Sequence, residues 1–222
     1  MEERHSWSSP AYVAEWIGQD VIEDVLRLPR SISVGLVADD DVAVARVIDL
    51  GSGPGAYLEA FLTALPAAEG VWVDASAPME EAARERLAPF GDRVSYQRAD
   101  ASRPAELELP PAQVITTSRM AHHFPADVIQ TLYRVSHDAL TPGGWFFNLD
   151  HYGSPEGWEP RYRRVRSQLI ARSRDPKDRH AHDHPFHPVP EHLEWLRAAG
   201  FATPDVAWKT FFSALLVGRR EH

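Results

Sequence analysis

From residue 46 onward, short apolar runs alternate with helical patterns. Val47 and Ile48 sit in one such run, and Leu58, Phe61, Leu62 and Leu65 follow at i, i+3, i+4 and i+7. The first pattern suits a strand and the second one face of a helix. Continued along the chain, it predicts strands over 46–50, 70–74, 93–98, 112–117 and 144–150, with helices over 55–65, 78–88 and 125–139. Pro125 opens the third helix and Pro142-Gly143-Gly144 closes its exit turn. Pro190 and Gly200 bracket a last helix. Strands over 205–209 and 211–218 are joined too tightly for a crossover helix and so should pair antiparallel. Ahead of this core, 10–30 reads as helical, with Tyr12, Val13, Trp16, Ile17, Val21, Val25 and Leu28 on one side; the aspartates at 39–41 read as a solvated turn. Alternation ending in a hairpin predicts an α/β fold with a doubly wound, mostly parallel, seven-stranded sheet and an antiparallel last strand. There is no internal repeat and no low-complexity linker.

The turn between the first strand and its helix carries the chemistry. It reads Asp49-Leu50-Gly51-Ser52-Gly53-Pro54-Gly55, with glycine at every second position. Glycine there allows positive φ and lets a ligand approach the backbone. The helix behind the turn offers unpaired N–H groups. A dinucleotide fingerprint would read Gly-x-Gly-x-x-Gly and aim its helix at a pyrophosphate. Here a carboxylate, Asp49, lies two residues before the first glycine, where it would repel a pyrophosphate but suits a cationic amino group. A second carboxylate, Asp74, ends the next apolar run, where it can accept hydrogen bonds from both ribose hydroxyls. Ribose plus ammonium without phosphate describes S-adenosylmethionine.

In order along the chain, several segments resemble motifs of the class I S-adenosylmethionine-dependent methyltransferases, closest to their small-molecule group. Val47 to Gly55 is similar to the first motif, and Val73 to Met79 to the end of the second strand. Arg98-Ala99-Asp100-Ala101 resembles the adenine corner, and Val114 to Phe124 the fourth strand with its following turn. Leu140 to Phe147 resembles the lead into the fifth strand, and Leu196 to Phe201 the end of the last helix. The likeness covers roughly residues 46–219. It implies that Asp49, Gly51, Ser52, Gly53 and Gly55 hold the methionine part and that Asp74 holds the ribose. Asp100 would accept from the adenine amino group beside Ala101. Ala75 and Met79 would pack on the ring, although both also read as ordinary helix-start packing, and Ser118 would complete the cofactor site.

Composition narrows the function further. A length of 222 residues fits one domain with a sizeable core. The expected division is a helical extension over 1–45, a cofactor core over 46–150, a lid insertion over 151–189 and a closing helix and hairpin over 190–222. No run approaches the roughly 18 to 20 apolar residues of a membrane span, and the first residues lack the pattern of a signal peptide. The net charge of −9 argues against a general nucleic-acid binder, because phosphate neutralisation needs surplus Lys and Arg. Without cysteine, disulfides and thiolate mechanisms are excluded. The expectation is a cytoplasmic enzyme, monomer or homodimer, with no membrane partner.

The insertion holds Arg161, Arg163, Arg164, Arg166, Arg172, Arg174, Lys177 and Arg179 in an otherwise acidic chain. Such a run is commonly a solvated helix face with i, i+4 pairs. The sharper reading is a lid over the crevice beyond the strand ends that recruits an anionic substrate, with Arg161 and Arg164 in contact. The segment ends in His180, His182, His184 and His187, a pattern that could bind metal. Structural zinc sites usually add cysteine, and the expectation is no metal, with His184 acting on substrate instead. His122 and His123 follow the fourth strand; His151 and Tyr152 follow the fifth. Each can simply satisfy a backbone group, but strand ends line the site in open α/β sheets. His123, His151 and His184 are therefore the candidate bases, with His122 and Tyr152 as substrate contacts.

Methyl transfer needs alignment and, for a hydroxyl acceptor, a base. After the fourth strand the chain has Ser118-Arg119-Met120-Ala121 in place of the Asn-Pro-Pro-Tyr of amide and adenine N-methylating groups. The expected function is methyl transfer from S-adenosylmethionine to an O or N atom of a small molecule, with an anionic acceptor in view. A tRNA-modifying enzyme of the same fold and a dinucleotide-binding Rossmann protein remain as alternatives, the latter opposed by Asp49, Asp74 and Asp100 together.

Overall fold

The computed structural model describes residues 7–17, 20–169 and 186–221. A seven-stranded sheet in the order β3-β2-β1-β4-β5-β7-β6 forms the centre. Its strands are β1 (Arg46–Leu50), β2 (Glu69–Asp74), β3 (Val94–Arg98), β4 (Ala112–Ser118), β5 (Leu140–His151), β6 (Ala202–Thr210) and β7 (Ser213–Arg219). Strands β1 to β5 are parallel; β7 runs antiparallel to both β5 and β6. The strand order reverses between β1 and β4. That is the switch point at which open α/β sheets form a crevice.

Helices α1 (Pro10–Ile17), α2 (Asp20–Ala38), α3 (Ala56–Ala64), α4 (Ala77–Leu87), α5 (Ala126–Ala139), α6 (Glu159–Leu169) and α7 (Val189–Ala198) flank the sheet. One apolar core, with Ile48, Leu50, Ile115 and Phe146, packs against Ile129, Leu132 and Tyr133 of α5 and Leu196 of α7. The other, with Val47, Trp72, Val114 and Phe147, takes Leu58, Phe61 and Leu62 of α3, Met79 and Ala83 of α4 and Leu26 and Val37 of α2. Alternate strand residues point to opposite faces, so each parallel strand feeds both cores. Among the described residues no helix is long and apolar enough to cross a membrane.

Helix α4 follows from its local sequence. The Ser76 side chain accepts the Met79 N–H at 3.2 Å, proline stands in the first turn, and Arg84 and Arg86 lie in the last turn. These suit an N-cap, an N-terminal proline and the helix dipole.

The N-terminal region departs from the predicted single helix over 10–30. It forms two helices, and α2 runs eight residues beyond 30 with Pro29 inside it. Residues 31–38 contain serine, β-branched residues and glycine, which carry little helix propensity. Packing overrides that preference. Ser33 donates to the Pro29 carbonyl at 3.1 Å, so its bond of 2.5 Å with the Tyr57 hydroxyl is donated by the tyrosine. That link ties α2 to α3. Leu28, expected on the apolar side, is instead 59% exposed, and the buried line runs through Leu26, Ser33 and Val37. The aspartate turn is also more than solvated. Asp40 accepts the Trp145 indole N–H at 2.7 Å and Arg219 at 2.6 Å, joining the end of α2 to β5 and β7.

Candidate active site

Strand register places the first carboxylate. Asp49 is opposite Thr116 across the β1–β4 pair, so both side chains leave the same face. The Thr116 hydroxyl donates to Asp49 at 2.8 Å and the Ser52 hydroxyl donates to its other oxygen at 2.7 Å. Burial pushes the Asp49 carboxyl up to about 6; the two hydroxyls and the Arg30 charge oppose the rise, and Asp74 adds to it. A cation placed in this cleft would restore its charge.

The glycine loop is fastened on every side. The Ser52 N–H donates to the Val73 carbonyl at 3.1 Å, and the Trp72 indole donates to the Gly53 carbonyl at 2.8 Å. Asp74 accepts the Gly53 N–H on one oxygen and the Ser76 N–H on the other, both at 2.9 Å. Gly51, Gly53 and Gly55 take φ of 64°, 53° and 81°, the left-handed region foreseen from their spacing. Burial raises the Asp74 carboxyl above its ordinary value against the pull of the Ser76, Gly53 and Ala75 N–H groups. A carboxylate has about four acceptor sites, so these three N–H groups leave room for a hydroxyl donor.

A cleft beneath this loop is lined by Asp49, Gly51, Ser52, Gly53, Ser118 and Tyr57 together with Arg30 and Arg119. The structure thus brings Asp49, the loop and Ser118 together as expected. It adds two arginines that sequence reading left out of the site. Met79 is buried, with its sulfur 3.8 Å from where a Gly53 Cβ would stand. Ala75 is exposed beside it and Ala101 is buried. Asp100 accepts the Ser102 N–H at 2.9 Å and has Arg103 at 3.5 Å; the Ser102 hydrogen bonds first, then Arg103, hold its carboxyl below the usual value.

The histidines gather at the tips of β4 and β5. His122 is buried, and its Nδ1 lies 2.5 Å from one oxygen of Asp150, while its backbone N–H donates to the other at 3.1 Å. A carboxylate only accepts, so the proton of this bond sits on His122 Nδ1, which donates to Asp150. Burial would raise Asp150, but the His122 charge and hydrogen bond, with His151 behind them, hold it well below the usual carboxylate range. Rings of His123 and His151 lie 4.0 Å and 5.2 Å from that of His122, and Phe186 stacks on His151 at 6.2 Å. Burial, then the charges of Arg119 and His122, pull His151 well below its ordinary value.

Beside the expected bases His123 and His151, the neighbouring His122 holds the carboxylate of Asp150. His184 lies outside the described residues. Tyr152 sits in the core, its hydroxyl donating to the Asn148 carbonyl at 3.1 Å, and is not presented to the cleft. Arg161 and Arg164 are exposed on α6 and do not line the cleft. Arg163 pairs with Glu159 four residues earlier, the solvated-face arrangement. His187 bonds Glu191 at 2.9 Å, and among the described residues no metal-holding cluster occurs. Sequence reading passed over Asp150, although an acid at a central strand tip was a usable signal; Arg30, inside a helix with no motif around it, carried none. The N-terminal segment also reaches the site: Ser76 donates to the Trp7 carbonyl at 2.5 Å, and the Trp7 ring meets His123 edge-on at 6.1 Å.

Comparison with known proteins agrees with this geometry. A family model described as a methyltransferase domain matches residues 47–144. Over 49 residues the chain is 41% identical to ribosomal RNA small subunit methyltransferase H of Treponema denticola, a match of 22% of this chain and 16% of that one. An O-methyltransferase family protein from Burkholderia thailandensis superposes with TM-score 0.66 at 21% identity, over 90% of this chain and 58% of that. Human N-acetylserotonin methyltransferase, solved with S-adenosylmethionine, superposes with TM-score 0.70 at 16% identity, over 97% and 58%. The chain therefore spans less than two thirds of the length of either structure.

Proposed function

From the methyltransferase-domain match over residues 47–144 and the shared fold, we propose that the chain is a class I S-adenosylmethionine-dependent methyltransferase and that it methylates a hydroxyl oxygen of a small-molecule acceptor, with His122 as the base and Asp150 as its positioning residue. The observation that carries this reading is the buried His122–Asp150 pair at the tips of β4 and β5, one strand from the glycine loop. An amine acceptor needs no such pair; a hydroxyl gains from one.

The cleft fits the cofactor by its donor set. Within the cleft Asp49 offers a carboxylate to the amino group and Arg30 a guanidinium to the carboxylate of the methionine part; Asp74, held against the loop by the Gly53 N–H and outside the cleft lining, would take the ribose. Two carboxylates around one loop do not suit a pyrophosphate. When bound, S-adenosylmethionine supplies a methyl group already activated on sulfur. The protein holds the acceptor in line with it, which accounts for much of the rate. His122 Nε2 would take the hydroxyl proton as the O–CH3 bond forms and the S–CH3 bond breaks, with S-adenosylhomocysteine as the leaving group, and Asp150 would keep the ring in the correct tautomer and steady its positive charge.

Asp150→Asn is the test. We expect kcat on any accepted phenol to fall roughly a hundredfold or more, the acid limb of the kcat–pH profile to move, and S-adenosylhomocysteine affinity to stay within about threefold. A loss under threefold with an unmoved profile would contradict the base assignment and favour a nitrogen acceptor.

The Asp49 carboxyl gives a pH prediction. Its value in the unliganded fold, about 6, lies above the ordinary 3.8. The contribution to stability is therefore fully present below about 4 and lost as pH rises through 6. Binding a cationic amino group runs the other way, because it favours the ionised form against the same burial. S-adenosylhomocysteine affinity should rise about tenfold from pH 5 to pH 7.5 and then level off. Calorimetry across that range checks it, and Asp49→Asn should flatten the curve. An equally flat curve in the unaltered protein would show that Asp49 does not face the ligand.

A further inference from the structure

Among the described residues four large apolar side chains are exposed, and three of them, Trp158, Val165 and Leu169, form one row along α6. The Tyr162 N–H donates to the Trp158 carbonyl at 2.9 Å, so Trp158 opens the first turn of that helix. At 3.6 residues per turn the three lie within roughly 40° of one another. They are 47%, 42% and 70% exposed. A helix normally turns such a row inward, so a row left in water points to a partner. Helix α6 does have an inward side, and it is a different one. The Tyr162 ring meets Phe211 and Phe212 of the β6–β7 turn edge-on at 5.6 Å and 5.8 Å. Arg166, four residues further, is half-buried on that side. Arg163 lies over the Phe212 ring at 5.2 Å and Lys209 over the Tyr162 ring at 5.5 Å. These aromatic and cation–π contacts seat the helix, and the apolar row stands at the outer rim of the seat.

The residues beside the row are cationic. Arg161 and Arg164 are both exposed and border it on the outer side, and Arg161 lies over the Trp158 ring at 6.0 Å. The helix has four arginines and one acid, Glu159, which Arg163 holds. The whole chain carries −9, so this face reverses the sign of the molecule. Apolar side chains with guanidiniums alongside match the boundary of an anionic bilayer, where the row enters the acyl edge and the arginines reach the phosphates. A second copy matches less well. A twofold contact through this helix would set Arg161 and Arg164 against their own copies and bring two acidic chains together. A single-stranded nucleic acid would use open aromatic faces, whereas Tyr162, Phe211 and Phe212 are packed on one another.

We propose that this face of α6 docks the protein on an anionic lipid surface, with Trp158, Val165 and Leu169 inserted and Arg161 and Arg164 on the headgroups. The helix lies in the interface without crossing it. The expectation of no membrane partner rested on the lack of a long apolar run, which a surface-lying helix does not need. The turn that seats α6 leads into Ser213, 3.2 Å from His151 Nδ1, so the docked face adjoins the histidine cluster.

The test mixes the full chain with vesicles of phosphatidylcholine alone and of phosphatidylcholine with phosphatidylglycerol, and reads the bound fraction by sedimentation. The expected result is binding about tenfold or more stronger to the anionic vesicles, weakening as salt is added. Trp158→Ser with Leu169→Ser, and separately Arg161→Gln with Arg164→Gln, should each weaken that binding about tenfold or more. Both double variants should keep the melting temperature of the unaltered chain, which shows that folding is intact. No binding to either vesicle, equal binding to both, or anionic binding that both double variants retain overturns the proposal. Self-association that Trp158→Ser with Leu169→Ser abolishes, without vesicle binding, would make the row a contact between copies and overturns it too. So would retention of transfer RNA on a filter that Arg161→Gln with Arg164→Gln abolishes, again without vesicle binding. None of these readouts needs turnover, so the proposal stands or falls apart from the O-methyltransferase reading.

Discussion

Alanine at Asp74 is expected to weaken S-adenosylhomocysteine binding by about 30- to 1,000-fold, the equivalent of losing roughly 2–4 kcal/mol of hydrogen bonding to a charged group. The carboxylate does two things at once. It clamps the Gly53 and Ser76 N–H groups at 2.9 Å each, and in the proposed complex its remaining acceptor capacity takes the ribose hydroxyls. Alanine removes both and takes away one of the loop's links to β2. The fold should survive, because Ser52 and Trp72 still fasten the loop. A melting temperature several degrees lower is expected from the two N–H groups left without acceptors. Asp74→Asn keeps one acceptor oxygen and should fall between the two. Calorimetric titration of the three proteins decides the matter, and unchanged affinity in Asp74→Ala would remove Asp74 from the site.

The second large effect separates two glycines that look alike in sequence. Gly51 and Gly53 have φ of 64° and 53°, so any side chain is strained at either. Their surroundings differ. A Cβ on Gly51 would lie 2.3 Å from the Met120 sulfur and 3.0 Å from its Cβ, whereas on Gly53 the nearest atom is the Met79 sulfur at 3.8 Å. Gly51→Ala should therefore cost about 2–4 kcal/mol of stability through strain and displaced Met120. Gly53→Val should cost only about 1–2 kcal/mol yet abolish cofactor binding, because its side chain fills the cleft that the loop borders. Denaturant unfolding and calorimetry on both variants test the contrast. Gly53→Val binding normally would place the cofactor elsewhere, and an unperturbed Gly51→Ala would deny the tight packing of the loop on Met120.

What could be read from the chain follows the range of the forces involved. The alternation of periods announced the parallel core, and its predicted strand ends differ from the observed ones by only a few residues, except at β5 and β6, which extend further. Strand pairing extends β5 back to Leu140 through Pro142 and Gly143, where local preference signals a turn. Helix α2 extended past Pro29 for a similar reason: the Ser33–Tyr57 bond and the burial of Val37 outweigh propensity, and neither is visible in a local window. The glycine loop, Asp49 and Asp74 were legible because their chemistry is local to two strand tips. The pairing of Asp150 with His122 was not, since it joins residues 28 apart in sequence from different strands. Adjacent His122 and His123 are indistinguishable by type; only the turn after β4 decides which ring goes inward, and it buries His122. The arginine run was visible as a run, but helix seating through Tyr162 is what separates Arg166 from Arg161 and Arg164. Tyr152 looked like a crevice residue from its place after β5 and is drawn into the core by Asn148 and the edge-on contact with His192 at 4.8 Å.

The central claim is that the loop between β1 and α3, with Asp49 and Asp74, is built for a ribose and an amino acid rather than for a dinucleotide. Isothermal titration of the unaltered chain at pH 7.5 with S-adenosylhomocysteine, and separately with NAD, addresses it without knowledge of the acceptor. One-to-one binding of S-adenosylhomocysteine with no measurable heat from NAD at the same concentrations is the predicted result. Binding of NAD with none of S-adenosylhomocysteine would contradict it.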